Sequence, residues 1–185
     1  MLTVKELQKL AASLKLSAFL KQMGPFVLIQ RPEGEAAVAA ATQMMGLPAN
    51  VERTSISRPS AVSDGTLALL FQFDTLEVAT LPPLQGVDEL SVGRQPDCDL
   101  VIDDPSVSKV HATLAWDAAN SRATVQDLGS TNGTFVNVDM RVRKTAILKD
   151  GDIISFGEVQ FWYLLTETLH TKLWQSGRSK LPRGV

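Results

Sequence analysis

Beyond Thr66 the chain breaks into short apolar runs separated by turn residues. The runs are LALLFQF, DELSVG, DLVID, HATLAWD, RATVQDL, TFVN, AILK, DIISFG and VQFWYLL, and PPLQG, QPDC, DAANS, GSTNG and KDG punctuate them. Strand-length runs at this spacing predict an all-β sandwich or barrel. In HATLAWD, Ala112, Leu114 and Trp116 alternate with His111, Thr113, Ala115 and Asp117, so one face turns to a core and the other is more polar. The last run breaks that rule, because Trp162 and Leu164 oppose Phe161 and Tyr163 and both faces are apolar. Its second face needs a cover. TETLHTKLW, with Leu165, Leu169 and Leu173 four apart, is the expected one.

The earlier part of the chain has a different texture. TVKELQKLAASLKLSAFLKQMG predicts one helix, opened by a Thr3–Glu6 capping box and closed by Gly24-Pro25. Leu7, Leu10, Ala11, Leu14 and Ala18 make its apolar face. Lys5, Lys9, Lys15 and Lys21 make it basic, so it either docks on its own chain with the lysines in water or lies on an anionic membrane or a partner. FVLIQ, residues 26 to 30, reads as a short strand, and residues 33 to 46 as a weakly anchored helix. Residues 47–66, rich in Ser, Thr and Pro, read as a linker. The expected organisation is an N-terminal helical extension over 1–46, that linker, a β domain over 67–165, and a C-terminal helix and tail over 166–185.

Composition narrows the function classes. At 185 residues the chain suffices for one well-buried domain plus an appendage, and 44% hydrophobic with 21% charged residues is ordinary for a globular protein. A net charge of −2 argues against nucleic acid as a partner. Cys98 is the only cysteine, which excludes an intramolecular disulfide and suits a reducing compartment. With only His111 and His170 beside it, no zinc site is expected, and no cofactor. No apolar run is long enough to span a membrane and no secretory core opens the chain, so the expected location is the cytoplasm, away from the membrane.

Three loops at strand ends hold the unusual residues: Gly93-Arg94 after ELSV, SVSKVH over 106–111, and DLGSTNGTFVN over 127–137. The last places hydroxyls, an amide and unobstructed backbone N–H groups in a row, more than a connector needs. Ser108, His111 and Asp127 invite a hydrolase triad, but the nucleophile-elbow motif G-x-S-x-G is absent and the histidine follows the serine by only three residues. GSTNGT also lacks the GK[ST] of a nucleotide phosphate loop. The expectation is a non-enzyme.

In order, Gly93-Arg94, Ser108 through His111, Asp127 through Asn137, and Leu148 through Gly157 (LKDGDIISFG) resemble the forkhead-associated (FHA) family. The resemblance covers roughly residues 67 to 165. It implies a mainly β, FHA-like sandwich, here with an N-terminal α-helical extension and a short C-terminal helix, whose loops grip a phosphothreonine peptide. Arg94 would take two phosphate oxygens with its planar fork, Ser108 would donate a hydroxyl hydrogen bond, and Lys109 would add a point charge. By the same resemblance Thr131 stands at the threonine end of the phosphate pocket and Asn132 holds the peptide backbone. Gly93, His111 and Gly133 would shape and support the loops. The implied role is a signalling adaptor whose partner is a phosphothreonine-containing protein, a Ser/Thr kinase or its substrate. A second reading keeps the fold but assigns binding to the N-terminal helix, without dependence on phosphate. Thr54, after Arg53 in the linker, is a candidate phosphorylation site that the domain would then bind. Two departures from the family stand out. NVDM replaces the usual Asn-Gly, so the hairpin loop there should be longer. Ser106, two residues before Ser108, is uncharged and predicts no acidic or basic preference.

Overall fold

Thr3 and Glu6 cap the first helix reciprocally: the Glu6 amide donates to Thr3 Oγ1 at 3.3 Å and the Thr3 amide to Glu6 Oε2 at 2.8 Å. In the computed structural model, which describes residues 2–31, 77–79, 89–137 and 139–179, that helix stops early. Strand β1 (Leu2–Thr3) leads into α1 (Val4–Ser13), Leu14 is extended, and α2 (Leu16–Met23) starts anew. One continuous helix was expected. At 100° per residue an unbroken helix would carry Phe19 and Met23 roughly 100° away from the face of Val4, Leu7 and Ala11. The break turns all five inward, each at most 2% exposed, and leaves Ala18 outside.

The strands are β2 (Phe26–Gln30), β3 (Glu77–Ala79), β4 (Glu89–Gly93), β5 (Leu100–Val101), β6 (Ala112–Asp117) and β7 (Arg122–Asp127), followed by β8 (Thr134–Val136), β9 (Met140–Arg141), β10 (Thr145–Leu148), β11 (Ile153–Phe156) and β12 (Val159–Leu165). Helix α3 (Thr166–Ser179) ends the described chain. Among the described residues the strands form two sheets, β1-β3-β2-β12-β11-β8-β9 and β10-β7-β6-β4-β5. Their facing sides enclose a core that includes Leu90, Val92, Leu114, Val125, Ile154, Phe156, Phe161 and Tyr163. The fold is the expected β-sandwich with helices at both ends of the chain.

The apolar outer face of β12 explains the helices. Trp162 and Leu164 pack with Val27, Ile29 and Val78 against Val4, Leu7, Ala11, Phe19, Met23, Leu169 and Leu173. The cover foreseen from TETLHTKLW is therefore shared by α1, α2 and α3. Leu165 is not part of it, because it ends β12 and packs against the sandwich core instead. Strand β2 pairs along β12, from Phe26 opposite Leu165 to Gln30 opposite Phe161. Its period of two splits it cleanly, Phe26 and Leu28 into the sandwich, Val27 and Ile29 under the helices. Arg31 follows, with its guanidinium 5.3 Å from the Trp162 ring centroid.

Lys5, Lys9, Lys15 and Lys21 all remain exposed. The expected helix over 33–46, the linker with Thr54, the run LALLFQF and the end of the tail lie outside the described residues. No helix among the described residues is long and apolar enough to cross a membrane. The sandwich leaves the β4–β5, β5–β6 and β7–β8 loops to build the site.

Candidate functional site

Gly93 ends β4 where a side chain has no room: a Cβ there would fall 2.9 Å from Cys98 Sγ and closer still to the carbonyl oxygen of Lys109. That contact lets the next residues zip onto the β5–β6 loop. The Arg94 amide donates to the Ser108 carbonyl and the Gln95 amide to that of Lys109, both at 3.0 Å. Arg94 Nε donates to the Val107 carbonyl at 3.3 Å, which tethers an exposed guanidinium with most of its five donors still to use. Among the described residues neither Arg94 nor Lys109 is ion-paired.

His111 ties this loop to the next. The Ser108 amide donates to Nδ1 at 3.0 Å, which leaves Nε2 to carry the proton and donate to the Gly133 carbonyl at 3.1 Å. The ring is fully buried and meets Phe156 edge-on. Burial pushes its pKa below the ordinary histidine value and outweighs the Gly133 hydrogen bond and the charge of Asp127, so the ring is neutral. The ring thus links the Ser108 amide to the Gly133 carbonyl.

The β7–β8 loop is wound around Asp127. Its carboxylate accepts from Ser130 Oγ at 2.6 Å, Thr134 Oγ1 at 2.7 Å and the amides of Gly129 and Ser130. Burial works against the charge, but the bonds from Ser130 and Thr134 prevail and hold the carboxyl below the usual aspartate value. The spacing Asp127–Ser130–Thr134 was the sequence signal for this turn, and it was overlooked. Ser108 Oγ closes the gap between the loops: it accepts from the Thr131 amide at 3.0 Å and lies 3.4 Å from Thr131 Oγ1. Ser108, His111 and Asp127 thus form no proton relay, since the histidine meets the Ser108 amide rather than its hydroxyl and Asp127 is engaged by its own loop.

Ser106 knots three loops. Its amide and hydroxyl go to Asp104, its hydroxyl accepts from the Glu158 amide at 3.0 Å, and its carbonyl accepts from Asn132 Nδ2 at 2.8 Å. Its side chain is therefore occupied structurally. The longer hairpin loop is present, with β8 ending at Val136 and β9 starting at Met140. Asn137 takes the positive φ there, +51°, and its side chain clamps Asp152 and the Ile153 amide.

The loops enclose a cavity of about 370 Å³ lined by Arg94, Ser108, Lys109, Thr131 and Asn132, with Pro105, Ser106, Val107 and Val110 completing the wall. All five residues expected to contact a ligand line it. Gly93, His111 and Gly133 stand behind it. The wall carries two cations and no carboxylate. Among the described residues no cluster of three or more His, Cys, Asp or Glu is placed to hold a metal ion.

Residues 90–157 match the FHA domain. This segment is an FHA domain. Glycogen accumulation regulator GarA of Mycobacterium tuberculosis is 39% identical over 77 residues, 40% of this chain and 43% of its own length. Mediator of DNA damage checkpoint protein 1 of Rattus norvegicus is 37% identical over 75 residues, 39% of this chain and 6% of its own. The chain thus spans less than half the length of either relative. A crystal structure of the FhaA FHA domain complexed with the intracellular domain of another protein is 31% identical, covering 47% of this chain and 87% of that one, with a TM-score of 0.40.

Proposed function

We propose that this FHA domain reads phosphothreonine in a partner protein, as a non-catalytic adaptor downstream of a Ser/Thr kinase. One observation carries the reading: Arg94, Ser108 and Lys109 turn toward a single cavity that holds no acid and is large enough for a phosphorylated side chain. A phosphothreonine brings about −1.5 to −2 charges and three strong acceptors. The Arg94 fork takes two oxygens, Ser108 Oγ donates to a third, and Lys109 supplies the remaining charge. Thr131 sits beside the methyl end, and Asn132, with one amide hydrogen on Ser106, keeps its carbonyl and second hydrogen for the peptide backbone.

The threonine methyl contributes about 0.8 kcal/mol when buried, roughly four-fold. A larger preference over phosphoserine draws on the stiffer χ1 of a β-branched residue, which reduces the ordering cost on binding. The helical layer is a weaker candidate for binding a membrane, because Val4, Leu7 and Ala11 are already buried against the sheet and the exposed face, with its lysines, also carries Glu6, Ser13, Ser17 and Gln22 and no large apolar side chain.

Calorimetric titration with phosphothreonine, phosphoserine and unmodified versions of peptides from a library tests the proposal. Binding is expected only with phosphate, and tightest with phosphothreonine. Equal affinity for modified and bare peptides removes it.

A further inference from the structure

Strand β10 ends the five-stranded sheet and pairs on one side only, with β7. Its four residues make it the longest sheet edge among the described residues, since β1, β5 and β9 have two each. Alternation sends Ala146 and Leu148 toward the sandwich core and Thr145 and Ile147 to the outer face, beside Gln126 and Thr124 of β7. Ile147 is 53% exposed, more than any other large apolar side chain among the described residues. The core does not require it there. The backbone N–H and C=O groups along the free side of β10 are a template for a further strand.

The charges at the ends of this edge have one sign. Arg143 and Lys144 precede the strand and Lys149 follows it, all exposed, and none is ion-paired among the described residues. The carboxylate next in sequence, Asp150, accepts from the Leu165 amide instead. Lysines at an edge deter pairing, and their placement here shows what is deterred. Antiparallel pairing of β10 with its own copy over its full length sets Lys144 opposite Lys149 at both ends, an arrangement that like charges oppose. A strand closed to every partner would carry charge or proline at its middle, where this one carries Ala146 and Ile147. The edge is set against itself and is complementary to a strand with acidic ends and an apolar centre.

We propose that β10 is a docking edge for a partner protein, which adds an extended segment to the sheet as a further strand. A β-branched or apolar residue of that segment packs beside Ile147, and Asp or Glu at its two ends face Lys144 and Lys149. The surface is separate from the phosphate cavity, which neither Ile147 nor any of the three cations lines. The inference goes beyond the phosphothreonine reading and stands without it. Backbone hydrogen bonds and Ile147 supply the affinity, and each exposed ion pair adds up to about fivefold, diminishing with salt.

The test titrates the isotopically labelled full chain at low salt with two end-blocked peptides, EETVTVTEE and KKTVTVTKK, and follows backbone amide shifts by NMR. The acidic peptide is expected to shift the amides from Lys144 to Lys149 and to bind several-fold more tightly than the basic one. Lys144→Glu combined with Lys149→Glu should invert that order, and Ile147→Ser should weaken the acidic peptide several-fold. All three positions are exposed, so melting temperatures should stay unchanged. No binding of the acidic peptide, shifts centred on Arg94 and Lys109 instead of β10, or an order that the double variant leaves unchanged overturns the inference. So does a dimer of the chain alone in sedimentation with its β10 amides protected from exchange, because a second copy would then be the occupant.

Discussion

Ser108 and Thr131, 23 residues apart in sequence, are joined by a hydrogen bond from the Thr131 amide to Ser108 Oγ at 3.0 Å. That bond docks the β7–β8 loop on the β5–β6 loop, and the Ser108 hydroxyl donates in turn to Thr131 Oγ1 over a long 3.4 Å, a bond weak enough to be exchanged for one to a charged ligand. Because Ser108 is only half-buried, Ser108→Ala should cost little stability, within about 1 kcal/mol. Affinity for a phosphothreonine peptide should fall about tenfold or more, since a hydrogen bond to a charged group is worth about 1.5–3 kcal/mol. Arg94→Ala, removing two such bonds from an exposed residue, should cost at least about 100-fold with the melting temperature unchanged. Paired calorimetry and thermal denaturation check both.

His111 makes the domain acid-sensitive. Its folded pKa lies below the reference value of 6.5, so the unfolded chain takes up the proton first. Its contribution to stability is complete above about pH 6.5 and is lost as pH falls from there through the lower folded value. Urea midpoints measured between pH 7.5 and 5 should decline, and His111→Gln should flatten that decline. The substitution should also lower stability at pH 7.5 by about 1–3 kcal/mol if it leaves either the Ser108 amide or the Gly133 carbonyl unpaired.

Gly93→Ala should damage fold and binding together. The added methyl meets the Lys109 carbonyl and Cys98 Sγ, and backbone cannot move aside as a flexible side chain can. Overpacking of this kind costs about 1–3 kcal/mol. Urea denaturation should show it, and the phosphopeptide titration should show weakened binding, because Arg94 and Lys109 depend on the same backbone contact.

The helices should behave as part of the sandwich rather than as an appendage. Phe19 and Leu169 are at most 2% exposed beneath Trp162 and Leu164. Leu169→Ala should cost about 2–5 kcal/mol and Phe19→Ala about 3–5. Both should unfold in one transition with the β domain. A separate early transition, or an unchanged melting temperature, would show the helical layer to be independent.

The strand runs and the turn residues were legible in the sequence because each is local. Alternation of period two marks a strand wherever it ends up, whereas Arg94, Ser108, Lys109, Thr131 and Asn132 were singled out by the family resemblance, and the structure brings all five to one cavity. The need for a cover over Trp162 and Leu164 was legible too, and so was one of its makers, TETLHTKLW. The share taken by α1 and α2 was not, because hydrophobic burial is non-directional and any apolar face would serve. Tertiary packing chose three helices and broke the first at Leu14 so that Phe19 and Met23 could join. Packing likewise determined that the Ser106 side chain is tied into a knot of loops and that Gly133 makes room for Arg141. Those relationships join residues distant in sequence through single contacts a few ångströms long, and only the folded backbone sets such distances.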